Sequence, residues 1–233
     1  MVWVDDQENA KWADAHGLAG KGYPNLVAYD AAGEYVHRIV GFGGMEKWLP
    51  DVKTAEENAK ALSDARAKAA KDPAALADVA AALVKIADRE RDALDAVRQI
   101  PAEKRDAGSA KLEQGLVGKI AWLDVEKELN ADGQSRSKGV DRKDAAAIGK
   151  VREEHAGFAL PKVEAWITAH GDAATDVLPA ALLKKAHLLG FAGRRDDAVA
   201  VAKTIVEKFP GTREAKAAEA IVNPPAPRTP PKK

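Results

Sequence analysis

Two β-rich runs around a short, glycine-containing turn constrain the fold of this chain more than any other feature of its sequence. Residues 26–30 read Leu-Val-Ala-Tyr-Asp and residues 35–40 read Tyr-Val-His-Arg-Ile-Val, with Ala-Ala-Gly-Glu between them. Branched and aromatic residues on both sides of such a turn are typical of a β-hairpin. Gly-Tyr-Pro at residues 22–24 precedes the pair, and a glycine cluster at residues 41–44 follows it. The sequence therefore predicts one antiparallel strand pair whose ends are set by a proline and by glycines.

Further elements are predicted on both sides of this hairpin. Val-Trp-Val at residues 2–4 is a short β-favouring run, and Asp6 is a candidate N-cap for a helix over residues 7–16. After the hairpin, apolar side chains recur at i, i+3, i+4 and i+7, which is the spacing of one helix face. They are Met45, Trp48, Leu49 and Val52. Pro50 falls inside this pattern, so we expect it to kink or restart the helix.

The order of these elements, with its proline, glycine and aspartate positions, resembles the C-terminal part of the thioredoxin fold. The matching residues are the strand at 2–5, Gly22-Tyr23-Pro24, Asp30 and Gly33 of the hairpin, Val40-Gly41 and Trp48-Leu49. The resemblance implies that a cis peptide bond precedes Pro24 and that the backbone of Tyr23 pairs with an extended peptide. It implies structural roles for Asp30, Gly33, Gly41 and Trp48. An ordinary trans proline that opens a strand is the alternative.

One central unit of that fold is missing from the matched residues. Thioredoxin-like domains begin with a further strand and a helix that carries Cys-x-x-Cys, whereas this chain contains no cysteine. Without that strand, the backbone of residues 2–4 lacks a neighbour to pair with. Three explanations stay open. The natural gene is longer and this chain is a fragment, which we favour; a second copy completes the sheet in a homodimer; or residues 2–5 pair directly with the hairpin.

The remainder of the chain is predicted to be helical. Hydrophobic residues make up 46% of the chain and aromatic residues only 5%, and alanine supplies much of the hydrophobic content. Sequences of this composition favour closely packed helices. Asp72-Pro73 marks a sharp helix start. The charged run at residues 88–92 is either a break or the exposed side of one long helix, and residues 130–141 are the best internal loop. Helices are expected near residues 109–129, 143–158, 161–169, 174–192, 195–209 and 212–222.

Residues 182–210 resemble a tetratricopeptide repeat. Gly193 and the aspartates after it match the turn between the two helices of the repeat, Ala198 matches a small residue of its second helix, and Pro210 closes that helix. The second small residue of the family falls on Ile205, which is a departure. An irregular helical bundle is the alternative to a repeat of this kind.

A short echo hints that the helical region contains an older repeat. Asp-Ala-Leu-Asp-Ala at residues 92–96 is similar to Asp-Ala-Val-Ala at residues 197–200. Repeat units bury their apolar faces against stacked neighbours. We therefore expect an α-hairpin array of uneven regularity over residues 56–222.

Charge and composition argue against several classes of partner. Lysine plus arginine and aspartate plus glutamate are equal at 36 each, so no excess of positive charge favours nucleic acid. No run approaches the roughly 20 apolar residues of a membrane helix. Residues 1–6 lack the basic and apolar regions of a signal peptide. Prolines and basic residues at 223–233 predict a disordered tail.

Catalytic and metal-binding constellations are not recognisable. Glu-Glu-His at residues 153–155 offers metal-capable groups, but adjacent residues do not share a helix face and no second histidine follows at i+4. His170 and His187 are interpreted as satisfied or solvent-facing, and Arg66 as part of a solvated helix face. Gly-Leu-Val-Gly-Lys at residues 115–119 lacks the spacing of a phosphate loop.

Together these patterns predict an α+β segment followed by an all-α segment. A partial thioredoxin-like domain is expected at residues 1–55, tetratricopeptide-like helices at 56–222 and a Pro-rich tail at 223–233. The expected function is non-catalytic binding of a protein or peptide through Tyr23, Pro24 and a concave helical face, with no cofactor or metal. The alternative is a fragment of a thioredoxin-family thiol-disulfide oxidoreductase whose active cysteines lie upstream of residue 1.

Overall fold

The hairpin predicted from the sequence is present as a two-stranded antiparallel sheet. The computed structural model describes residues 25–40 and 44–224, in which β1 spans Asn25–Tyr29 and β2 spans Tyr35–Val40. Several predictions concern residues outside these ranges, namely the strand at 2–5, the helix at 7–16, Tyr23, Pro24, Gly41 and most of the tail. Those predictions stay predictions.

Asp30 and Gly33 build the turn between the strands. Asp30 Oδ1 accepts hydrogen bonds from the backbone N–H groups of Ala32 at 2.9 Å and Glu34 at 2.8 Å. Gly33 has a φ of +80°, in the left-handed region that glycine adopts without a steric penalty. The aspartate therefore stabilises a turn that the glycine makes possible.

β2 contains a bulge, and the backbone carbonyl of the bulge residue is hydrogen-bonded by a side chain of the following helix, α1, which spans Met45–Ala69. The strand register shifts before Tyr29, which pairs with Tyr35, so Val36 has no partner on β1. The carbonyl oxygen of Val36 instead accepts a hydrogen bond from Asn58 Nδ2 at 3.0 Å. Both residues are buried, and a buried carbonyl needs such a donor.

Three helices follow the hairpin in the first part of the chain: α1, then α2 at Leu76–Leu83 and α3 at Glu90–Arg98. Helix α1 continues through Pro50, so the expected restart there is wrong; near the helix N-terminus a proline removes a single hydrogen bond. The predicted start at Asp72-Pro73 is confirmed, since Asp72 Oδ1 accepts from the Ala74 N–H at 3.2 Å. The charged run at residues 88–92 contains a break between α2 and α3.

Five helices follow: α4 at Ala107–Ser137, α5 at Ala145–His170, α6 at Leu178–Phe191, α7 at Arg195–Lys208 and α8 at Arg213–Val222. The loop predicted at 130–141 is wrong for residues 130–137 and confirmed for 138–141, because α4 continues to Ser137 and an i, i+4 ion pair between Asp132 and Arg136 supports its last turns. The break predicted before Pro161 is also wrong. Its neighbours Leu160 and Val163 on α5 are buried in the hydrophobic core of the second unit. This burial outweighs the hydrogen bond that the proline removes.

The coarse layout of an α+β segment followed by an all-α segment is confirmed for the described residues. The chain divides into two compact units, Met1–Ser109 and Ala110–Lys233. The first unit contains the hairpin together with α1, α2 and α3. None of the helices in the described ranges is both long and apolar enough to span a membrane.

The core of the second unit requires a glycine in α4. The rings of Trp122 and Trp166 lie 5.0 Å apart, and Trp166 Nε1 donates to the Gly118 carbonyl oxygen at 2.9 Å. A Cβ atom on Gly118 would lie 2.6 Å from Cβ of Ala174 and 3.1 Å from Cβ of His170. Real Cβ atoms do not approach so closely, so only glycine lets α4 pack against this segment.

We expect Asn58→Ala to lower the free energy of unfolding by about 1–2 kcal/mol, because the buried Val36 carbonyl loses its donor. Urea unfolding followed by circular dichroism measures this change. Lys60→Ala, on an exposed residue of the same helix, is the control and should stay within about 0.5 kcal/mol of the wild type. Equal effects of the two substitutions would contradict the role of the amide.

Two glycine substitutions should change stability in opposite directions. Gly118→Ala forces a clash and should lower the free energy of unfolding by about 1–3 kcal/mol. At Gly149 in α5, an added Cβ meets no atom within 4 Å, so Gly149→Ala should raise it by about 0.5–1 kcal/mol through helix propensity. Thermal melts of both variants test this pair, and stabilisation by Gly118→Ala would refute the close approach.

Candidate functional site

Two arginines from the helices hold Glu34 at the end of the hairpin turn. Arg66 of α1 donates to both carboxylate oxygens of Glu34, through Nη1 to Oε1 and through Nη2 to Oε2, the latter at 2.6 Å. Arg89, which precedes α3, donates to the Tyr35 carbonyl oxygen at 3.0 Å and to Glu34 Oε2 at 3.4 Å. The interpretation of Arg66 as part of a solvated helix face is therefore wrong. Its hydrogen bonds lower the pKa of Glu34 from the ordinary value.

An open groove of about 530 Å³ lies between α1, α2 and α3. Apolar side chains line it from all three helices; they are Ala69, Ala70, Leu76, Val79, Leu83 and Ala96. Its polar lining comprises Arg66, Arg89, Asp92, Asp95 and Gln99. Arg66 and Arg89 are engaged with Glu34, and Asp92 accepts from Arg89 Nε. Asp95 is exposed and has no hydrogen-bond or ion-pair partner among the described residues, so the groove presents an uncompensated carboxylate beside an apolar surface.

The connection between α2 and α3 contributes Arg89 to the lining of this groove. Asp88 has a φ of +64°, which is unusual for a residue other than glycine. Arg89 follows as the N-cap residue of α3 and forms an ion pair with Asp92. Ala93, one residue further, is fully buried. The start of α3 therefore combines three features, which are a residue with positive φ, an Arg–Asp ion pair and a buried alanine.

The connection between α6 and α7 repeats this arrangement in the second unit. Gly193 has a φ of +73°, and Arg194 follows as the N-cap residue. Arg194 Nε and Nη2 lie 2.8 and 2.7 Å from Asp197 Oδ2, and Ala198 is buried. The same features recur in the same order and spacing. The sequence analysis found the aspartate–alanine part of this echo and missed the arginines, although both are visible in the sequence.

A second candidate site involves His155 of α5, which the sequence analysis considered with its neighbours as a metal site. His155 Nδ1 lies 2.7 Å from Asp132 Oδ2 of α4. Arg136 Nε donates to both oxygens of Asp132, at 2.9 and 2.8 Å, and Arg136 Nη1 donates to Glu154 Oε2 at 3.2 Å. The Arg136 hydrogen bonds, with a smaller contribution from His155, lower the pKa of Asp132. An ionised carboxylate can only accept hydrogen bonds, so Nδ1 of His155 carries the proton in this contact. The other ring nitrogen, Nε2, has no hydrogen-bond partner among the described residues.

This histidine lines a cavity of about 310 Å³ between the end of α4 and the start of α5. The remaining lining residues are Gly133, Ser137, Val140, Arg142, Ile148, Val151 and Arg152. The Ser137 hydroxyl donates to the Gly133 carbonyl oxygen at 2.7 Å. A serine committed to its own helix is not hydrogen-bonded to the histidine, so the cavity lacks the serine–histidine contact of a nucleophilic site.

The structure also places Trp48 and the two remaining histidines that the sequence analysis considered in this part of the chain. Trp48 is half-buried on α1, and its buried Nε1 has no hydrogen-bond partner among the described residues. The His170 ring lies 6.0 Å from the Trp166 ring, and His187 is exposed on α6. Across residues 25–40 and 44–224, no three histidine, aspartate or glutamate side chains are grouped as metal ligands.

Comparisons with known proteins do not assign this chain to a family. No protein-family model, no curated protein and no solved structure matches it. The likeness to thioredoxin and tetratricopeptide repeats therefore rests on the residues quoted above and stays a prediction.

The lowered pKa of Glu34 predicts a pH-dependent contribution to stability. A carboxyl group with a lowered pKa in the folded protein stabilises it fully above its ordinary pKa of 4.5, and this stabilisation is lost as the pH falls through the lower folded value. Glu34→Gln should therefore reduce the free energy of unfolding at pH 7 by about 1 kcal/mol, and the difference from the wild type should shrink below pH 4.5.

Urea unfolding at a series of pH values measures this difference. Glu57→Gln is the matched control, because Glu57 is exposed on α1 and its Lys53 partner lies 3.8 Å away. This control should follow the wild-type stability curve at every pH. A constant difference between Glu34→Gln and the wild type across the acidic range would contradict the prediction.

Proposed function

We propose that this chain is a non-catalytic module that binds a peptide or protein segment, combining a thioredoxin-like platform with tetratricopeptide-like helical hairpins. The groove between α1, α2 and α3 carries the proposal. A groove of about 530 Å³ is large enough for a few side chains of a bound segment. Its lining comes mostly from helices, which place side chains more precisely than loops do.

The chemistry of the groove indicates which peptide fits. Val79, Leu83 and Ala96 supply an apolar floor, and the unpaired carboxylate of Asp95 lies beside it. The arginines of the groove are already neutralised by Glu34 and Asp92. The surface therefore complements a segment that carries an apolar side chain next to a lysine or arginine.

The repeated connection supports the helical part of the proposal. Tetratricopeptide-like arrays are built from hairpins of similar geometry, and the α2–α3 and α6–α7 hairpins begin their second helices in the same way. The hairpin turn at Asp30 and Gly33 is compatible with the thioredoxin-like part. Tyr23 and Pro24 are proposed as a second peptide contact on the strength of that resemblance.

A peptide-display library of random 12-residue segments, followed by fluorescence anisotropy with the selected peptides, tests this function. We expect selection of peptides in which an apolar residue adjoins lysine or arginine. Asp95→Asn should weaken their binding about fivefold, corresponding to about 1 kcal/mol for a surface charge pair. Ala69→Phe should fill the groove and abolish binding.

Asp64→Asn is the matched control, since Asp64 is exposed on α1 and is absent from the groove lining. It should leave peptide affinity unchanged, and circular dichroism should show that all three variants are folded. The proposal fails if no peptide is selected, or if Asp64→Asn weakens binding as much as Asp95→Asn does.

A further inference from the structure

The cavity beside His155 has the size of a small-molecule site. Its volume of about 310 Å³ corresponds to about ten water-sized groups at roughly 30 Å³ each. Gly133 lines it beside the histidine ring, since an added Cβ would lie 3.6 Å from His155 Cε1. Val140, Ile148 and Val151 contribute apolar surface. The cavity therefore suits a compact ligand with an apolar body.

Two guanidinium groups line this cavity without a carboxylate partner. Arg142 has no hydrogen bond or ion pair among the described residues. Arg152 lies 5.3 Å from the centroid of the Phe191 ring, a cation–π contact that leaves its N–H groups available. The chain as a whole has equal numbers of acidic and basic residues, so unpaired arginines beside an apolar cavity are not explained by a general excess of positive charge.

The carboxylates near the cavity are occupied by other donors. Asp132 and Glu154 are both held by Arg136. Asp141 and Asp144 accept hydrogen bonds from backbone N–H groups, at 2.9 Å each. None of these carboxylates is therefore paired with Arg142 or Arg152 among the described residues, and both guanidinium groups can contact a bound anion.

His155 adds a third polar group with a defined orientation. Its Nδ1 is bound to Asp132, which leaves Nε2 as the ring nitrogen without a described partner. Fixing one nitrogen of a histidine on a carboxylate orients the ring, so His155 lines the cavity with its imidazole held in place.

We propose that this cavity binds a small organic anion, with its carboxylate or phosphate on Arg142 and Arg152 and its apolar body against Ile148 and Val151. Guanidinium groups match the planar, bidentate geometry of both anions. This site shares no lining residue with the peptide groove, so its failure and that of the proposed function are distinguishable.

Titration calorimetry of the full chain with octanoate, hexyl phosphate and 1-octanol tests the proposal. We expect heat of binding with one or both anions, which also distinguishes carboxylate from phosphate, and none with the neutral alcohol. Arg142→Gln and Arg152→Gln should each weaken anion binding about tenfold, the loss expected for one hydrogen bond to a charged group.

Lys150→Gln is the matched control, because it removes the same charge from α5 at an exposed residue that does not line the cavity. It should leave anion affinity unchanged. Amide chemical shifts should move around residues 133–155 when the anion binds. The proposal is overturned if no probe binds, if octanol binds as tightly as the anions, or if Lys150→Gln weakens binding as much as the arginine substitutions do.

Discussion

A two-stranded β-hairpin is not stable by itself in water. In the first unit, side chains of the helical part of the chain bind the hairpin and stabilise it. Asn58 of α1 donates to the carbonyl oxygen of the bulge residue Val36. Arg89 donates to the neighbouring carbonyl oxygen of Tyr35, and Arg66 binds both oxygens of Glu34. Two backbone carbonyl oxygens of β2 are thus satisfied by polar side chains from outside the sheet.

Arg89 connects this anchoring to the proposed binding surface. The same guanidinium group binds the hairpin and Asp92, and it precedes the first residue of α3. The position of α3, and with it the Asp95 carboxylate and the Ala96 floor of the groove, is therefore coupled to the hairpin. The equivalent Arg194 of the second unit has Asp197, at the start of its own helix, as its hydrogen-bond partner among the described residues.

Local signals in the sequence predicted the elements whose causes are local. The hairpin follows from strand-forming runs around Asp30 and Gly33, and the break at Asp72 follows from capping chemistry. The start of α7 at Arg195 agrees with the predicted residue. Propensity failed at Pro161 and at residues 130–137, where burial and an ion pair outweigh local preference. The packing role of Gly118 was not predicted, and the sequence analysis considered this glycine only in a segment that lacks the spacing of a phosphate loop. Close packing between segments far apart in sequence leaves no local signal.

The sequence by itself determined the coarse order of elements, the absence of cysteine from the chain and the helical nature of its longer part. These follow from periodicity and from residue types, which act over a few neighbouring positions. Only the tertiary structure decided that Arg66 binds the hairpin, that His155 is oriented by Asp132, and that unpaired charges line a groove and a cavity. Those pairings join residues on different elements, and which side chains meet is set by packing rather than by spacing along the chain.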